Sequence, residues 1–215
     1  MTKNILSRAF GSANTPRFAL GAAIAAGAIF AGTPAFAADH QNERAVTQQQ
    51  PAQATANAMI KIAESQVGVT ENATGGGTPF HQWYMSSPRA QETVARDGGS
   101  IRAYANAPWC AMFVSWVGEK AGARPTVGWD AYTITWAKWF KKNGRWGAEP
   151  KPGAVVYFSW NDKTIDSIDH MGLVKKDNGN GTITTIEGNT GNGKVEERIR
   201  PTSQVVGYGY PQYKA

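Results

Sequence analysis

The spacing of apolar positions changes twice along this chain, and the changes divide it into three stretches. From Phe18 to Phe36 the residues are apolar almost throughout and rich in Ala and Gly. From Asp39 to about Thr55 the chain is polar, centred on Gln48-Gln49-Gln50-Pro51, with too little apolar surface to bury, so a mobile leader is expected. Helical spacing follows. Met59, Ile62, Ala63, Gln66 and Val67 predict a helix stopped at Gly68, and Phe80 to Tyr84 a short helical piece after the loop Thr74 to Pro79. A helix from Pro108 to Ala121, ended by Gly122, turns Met112, Phe113, Trp116 and Val117 inward. Another from Ala131 to Lys142 buries Trp136, Trp139 and Phe140 and leaves Lys138, Lys141 and Lys142 outside. Beyond Pro152-Gly153 the character is that of strands: Ala154 to Trp160, Met171 to Val174, Thr182 to Glu187, Lys194 to Arg200 and Val205 to Tyr210. Helices first and strands afterwards predict an α+β fold, helices packed on one face of an antiparallel sheet.

The first apolar stretch changes meaning with its flanks. Lys3, Arg8 and Arg17 precede it, no acidic residue occurs before Asp39, and Ala35-Phe36-Ala37 is the small-x-small pattern of a signal-peptidase site. A secretory signal over residues 1–37, cleaved after Ala37, is the expectation. The rival is a retained transmembrane helix, which Gly21, Gly27, Gly32 and Pro34 disfavour. No Arg-Arg pair is present, so the general secretory route is expected. No other segment is apolar enough to span a bilayer, so stable membrane insertion after cleavage is not expected. The remaining chain divides into the leader, residues 38–55, and one folded domain, residues 56–215.

Charge then narrows the partners. The formal net charge of +6 includes three of the 22 Lys and Arg residues in the signal and none of the 16 acidic ones, which leaves +3 afterwards. That suits a polyanionic surface such as a bacterial envelope. Without a basic run it excludes nucleic acid as a partner. All eight tryptophans lie between Trp83 and Trp160, enough for a substantial aromatic core.

Cys110 is the only cysteine. An exported protein ordinarily pairs its cysteines, so a single one is either an inert buried thiol or a reactive nucleophile. Pro108 suits the start of a helix, which puts Cys110 in the first turn, where unsatisfied N–H groups and the helix dipole stabilise a thiolate. A nucleophilic thiol needs a base, and the base needs a group to hold it. His40 falls in the leader and His81, between Phe80 and Gln82, reads as structural. His170 begins a strand just before a hairpin. If Asp177 to Asn180 form a four-residue turn, Lys176 pairs with Gly181 and His170 lies opposite Glu187, on one face. Asn189, two residues on, points the same way. Glu187 and Asn189 are then placed to orient His170, provided the register does not slip by one residue. Read singly, His170 and Glu187 could be ordinary strand residues and Asn189 turn chemistry.

Together these residues resemble the CHAP family, the cysteine- and histidine-dependent amidases/peptidases of bacterial and phage cell-wall hydrolases. The matching motifs are Trp109-Cys110-Ala111-x-Phe113-Val114-x-Trp116, His170-x-Gly172 and Glu187-Gly188-Asn189-Thr190, with Gly207-Tyr208-Gly209-Tyr210-Pro211 similar to the family's last strand. The resemblance covers roughly Ala58 to Gln212. It implies a papain-like (NlpC/P60-like) fold with Cys110 as nucleophile, His170 as base, and Glu187 and Asn189 as orienting groups. Where the family often has Pro-Gly-Asp, this chain has Pro152-Gly153-Ala154. Some members bind calcium through an acidic cluster before the cysteine; none precedes Cys110, and Asp162, Asp166 and Asp169 are too irregular for a calcium loop. No metal or other cofactor is expected. The implied activity is that of a secreted or wall-associated monomer cleaving an amide of peptidoglycan, as an N-acetylmuramoyl-L-alanine amidase or an endopeptidase. Tyr104 or Asn106 could add an oxyanion donor, and Trp83, Trp129 and Trp160 could line a groove. A thiol acyltransferase or a non-catalytic wall-binding protein on the same fold are the alternatives.

Overall fold

The computed structural model describes residues 54–214. The expected signal segment, and the leader up to residue 53, lie outside the described residues. Among the described residues, Ala54 is buried and accepts from the Lys214 amide, and the Thr55 hydroxyl accepts from the Ala58 amide as the cap of the first helix. Among the described residues no helix is long and apolar enough to cross a membrane.

Among the described residues six helices come first. They are α1 (Ala56–Glu64), α2 (Pro79–Ser86), α3 (Pro88–Asp97), α4 (Cys110–Lys120), α5 (Arg124–Val127) and α6 (Thr133–Lys142), with a 3-10 turn at Ile101–Asn106 before α4. Two of them start on the same device: Thr78 before Pro79 and Ser87 before Pro88, each hydroxyl accepting an amide of the first turn. α4 is the central one. Every residue from Cys110 to Val117 except Trp116 is buried, because α1, α2, β3 and β4 all pack on it. α6 starts at Thr133, two residues after the expected Ala131, with Trp136 and Phe140 buried, Trp139 only half-buried and its three lysines exposed.

The strands are β1 (Trp146–Gly147), β2 (Val155–Phe158), β3 (His170–Asp177), β4 (Thr182–Thr190), β5 (Lys194–Pro201) and β6 (Val205–Gly209), in one antiparallel sheet of order β1-β6-β2-β3-β4-β5. The architecture is α+β. Side chains alternate between two environments. Val155, Tyr157, Met171, Leu173 and Ile186 join the helices in the main core, whereas Ala154, Val156, Phe158, Val174, Ile183 and Tyr208 form a smaller cluster.

The β3–β4 register differs from the expected one. Lys176 pairs with Thr184, three residues past Gly181, and Leu173 pairs with Ile186, two residues past the expected partner. The turn itself is the cause. The Asn178 amide donates to the Thr182 carbonyl at 3.1 Å and the Asn178 side-chain amide to Thr182 Oγ1 at 3.0 Å, so the hairpin closes at Asn178 and Thr182. An irregularity between Val174 and Lys176 then reduces the offset from three residues to two. An odd offset would have sent Glu187 to the opposite face from His170; the even one keeps them together.

Candidate active site

Cys110 is the first residue of α4 and is 5% exposed. The first helical bond runs from the Phe113 amide to the Trp109 carbonyl, and no side chain caps the helix. The N–H groups of Cys110, Ala111 and Met112 consequently have no intrahelical acceptor and carry the positive end of the helix dipole. Trp109 fixes this end: its indole N–H donates to Glu71 Oε2 at 2.7 Å and its ring stacks on Phe80. Gly188 lets β4 approach closely, since a Cβ there would stand 2.6 Å from Phe113 Cβ and 2.8 Å from Trp109.

His170, the first residue of β3, is 7% exposed and lies between two partners. Its Nε2 is 3.0 Å from Glu187 Oε2, and the Cys110 side chain on its other side is near enough to raise its pKa. With Nε2 donating to the carboxylate, Nδ1 is the nitrogen left for the sulfur. Burial alone would lower the imidazole's pKa. The Cys110 and Glu187 side chains, with their negative charge, outweigh that and push it up to about 9.

Glu187 is not opposite His170. Continuing the ladder from Leu173 and Ile186 sets Glu187 beside Gly172, two residues along from His170 on the same face. Glu187 Cγ passes 2.7 Å from where a Cβ of Gly172 would stand, so the absent side chain leaves the channel through which the carboxylate reaches the imidazole.

The carboxylate of Glu187 is wholly buried. Arg200 grips it with both arms of its fork, Nε to Oε1 at 2.9 Å and Nη2 to Oε2 at 2.6 Å, and Thr185 Oγ1 donates to Oε1 at 2.5 Å. Burial would raise the acid's pKa, but Arg200, His170 and Thr185 together hold it down at about 2. The guanidinium lies over Phe158 at 5.6 Å and Trp160 at 5.3 Å, and both rings stack toward His170. Arg200 was not singled out from the sequence. The signal was available: a carboxylate buried on a central strand needs a cation, and Arg200 on β5 has the alternation that shares its face.

Asn189 lies where the β4–β5 register breaks between Glu187 and Thr190, and it is the one non-glycine among the described residues with positive φ, at 56°. The break interrupts the alternation that would have aimed it at His170. Among the described residues its side chain makes no hydrogen bond to the ring. Tyr104 is buried with its hydroxyl donating to Thr93 Oγ1 at 2.8 Å, so it is already committed; Asn106 is exposed, its Oδ1 against Gly76. His81 is buried between Thr78 and the Ala107 carbonyl, and burial lowers its pKa. Of the three tryptophans proposed for a groove, Trp160 is 47% exposed beside His170, whereas Trp83 and Trp129 are half-buried elsewhere. His40 lies outside the described residues. Asp166 pairs with Lys138, Asp169 accepts from the Trp160 amide, and no group of three or more potential ligands capable of holding a metal ion occurs among the described residues.

Two crystal structures are similar in part. "The crystal structure of Ly7917" is 15% identical, with a TM-score of 0.43, over 73% of this chain and 62% of that one. "The crystal structure of Ly7917 with the hydrolyzing product of MDP" is 14% identical, with a TM-score of 0.41, over the same shares. This chain thus spans less than two thirds of the length of Ly7917. No curated protein matches. Residues 102–189, the segment holding Cys110, His170, Glu187 and Asn189, match the family model of the CHAP domain.

Proposed function

We propose that this protein is a secreted cysteine amidase or endopeptidase that cleaves an amide bond of bacterial peptidoglycan. The observation that carries the reading is His170 held between the only sulfur in the chain and a buried carboxylate. The Cys110 sulfur attacks the amide carbonyl carbon as a thiolate, its proton resting on His170. A C–S bond forms, and the carbonyl oxygen takes up the negative charge, met by the unpartnered N–H groups at the start of α4. His170 passes its proton to the amine as the C–N bond breaks. Water, deprotonated by His170, then attacks the thioester. The acid product leaves and the thiol regains its proton.

Glu187 acts by fixing the ring and its tautomer, and Arg200 acts on Glu187. Asn189 serves as a backbone position. The apolar N-terminal stretch with its small-x-small exit supports export to the compartment where peptidoglycan lies. The match of residues 102–189 to the CHAP domain model supports an amide substrate. The test is digestion of purified peptidoglycan by the chain from Ala38 onward, with mass spectrometry of the fragments. Wild type should release new amine and carboxyl ends at one bond type, and Cys110→Ala should release none. Equal digestion by both proteins overturns the thiol mechanism.

A further inference from the structure

Trp160 stands just after β2, and the backbone around it is tied down. Its amide donates to Asp169 Oδ2 at 2.8 Å, the Ser159 amide to the Gln204 carbonyl at 3.1 Å, and the Asn161 amide to Ser159 Oγ at 3.3 Å. Asp169, which directly precedes His170, donates its own amide to the Phe158 carbonyl at 2.9 Å. One short stretch of backbone thus sets the indole relative to the imidazole. The Trp160 ring lies 6.3 Å from that of His170 and 5.8 Å from that of Phe158, inclined by 28° and 13°, with the Arg200 guanidinium 5.3 Å away. Despite these neighbours it is 47% exposed.

A single large apolar side chain in water is ordinary at a surface. Here a fixed backbone, near-parallel rings and a place beside the imidazole coincide. Shielding does not account for the indole: Glu187 and Phe158 are wholly buried and His170 nearly so, and the outward half of Trp160 covers none of them. The reaction names an occupant for that half. His170 hands a proton to the departing amine, which brings that nitrogen to about 3 Å from the imidazole. The acyl carbon is then on the sulfur, and its oxygen is turned to the N–H groups of α4. The fragment leaving with the nitrogen starts at the imidazole, and Trp160 is the exposed ring that borders it. Whichever amide of peptidoglycan is cut, that nitrogen belongs to an amino acid: the first of the stem peptide for an amidase, the one after the cut for an endopeptidase.

We propose that Trp160 is the floor of the subsite for the amino acid whose nitrogen departs, its indole face taking that residue's aliphatic C–H groups. The assignment rests on the peptidoglycan reading above and names the half of the substrate gripped beside His170. For the experiment, soluble peptidoglycan fragments are cut by the wild-type chain from Ala38 onward, and the amine-ended and acid-ended products are separated. Each is titrated calorimetrically into Cys110→Ala, and into Cys110→Ala combined with Trp160→Ala or Trp160→Phe. The amine-ended product should bind about tenfold more weakly once Trp160→Ala is added, the worth of one aromatic contact, and Trp160→Phe should restore most of the loss. The acid-ended product should bind all three chains alike, and their melting profiles should coincide. An indole that only props up the site would weaken both products together. That result, unchanged binding of the amine-ended product, or no binding of it to Cys110→Ala overturns the subsite while the hydrolase reading stands. A wild-type chain that releases no products overturns the hydrolase reading, and the subsite with it.

Discussion

Glu187 reaches His170 by crossing the space above Gly172: its Cγ lies 2.7 Å from the point where a Cβ on residue 172 would stand, and its Oε2 lies 3.0 Å from His170 Nε2. Position 172 therefore excludes even one methyl group for the sake of a neighbour on the next strand. Gly172→Ala should push the carboxylate off the imidazole while the sheet stays formed. A displacement of about 1 Å costs about 10²-fold in rate. We expect that loss in peptidoglycan digestion with circular dichroism unchanged, and wild-type rates in Gly172→Ala would show that the Glu187 contact is dispensable.

Removing Arg200 exposes a different dependence. The Glu187 carboxylate would remain buried with its main counter-charge gone, and breaking such a pair costs about 3–5 kcal/mol. Arg200→Gln should lose that much stability in urea denaturation. Arg200→Lys, which keeps the charge but not the two-armed grip, should fall between. A loss below about 0.5 kcal/mol in Arg200→Gln would mean the pair carries no weight.

The two shifted groups define a pH window. His170 holds its proton up to about 9, above its ordinary 6.5. Its contribution to stability is complete below 6.5 and disappears as pH rises through about 9. Glu187 stays ionised down to about 2, below its ordinary 4.5, so its contribution is complete above 4.5 and disappears as pH falls toward about 2. Both contributions are full between 4.5 and 6.5. Denaturation midpoints across pH should decline on either side, and the alkaline decline should vanish in His170→Gln. Hydrolysis should fall near pH 9, where the proton destined for the departing amine is lost.

Asn189 separates backbone shape from chemistry. Its left-handed backbone, φ 56°, disfavours most side chains, so Asn189→Ala should cost about 1 kcal/mol while Asn189→Gly stays near wild type. Neither should change the rate of digestion per folded molecule, because no hydrogen bond joins this side chain to His170. A rate collapse in Asn189→Gly at undiminished stability would restore Asn189 as a group that orients the ring.

Local pattern made much of this readable. The Trp136 and Phe140 face and its lysines are visible in periodicity alone, and so are the strand beginning at His170 and the helix beginning near Cys110. Long-range geometry was less so. α3 buries only Ala90 and the polar Thr93, too little of an apolar face to read, which left only the Ser87-Pro88 start as a signal. The hairpin offset depends on which groups close the turn, and Asn178 competes with the strand ladder in a way residue counting does not weigh. Arg200 went unseen because its partner is on another strand and the need for a counter-charge arises only once Glu187 is known to be buried.

The irregularity beside Lys175 sets a rule for how this hairpin can evolve. Lengthening or shortening a strand by a single residue between the irregularity and the site rotates the acid out of the site unless a second irregularity absorbs the change, whereas a change in the turn between Asn178 and Thr182 alters only the loop. Among relatives that keep the acid, insertions and deletions should therefore gather in this turn, and those inside the strands should be accompanied by a compensating kink.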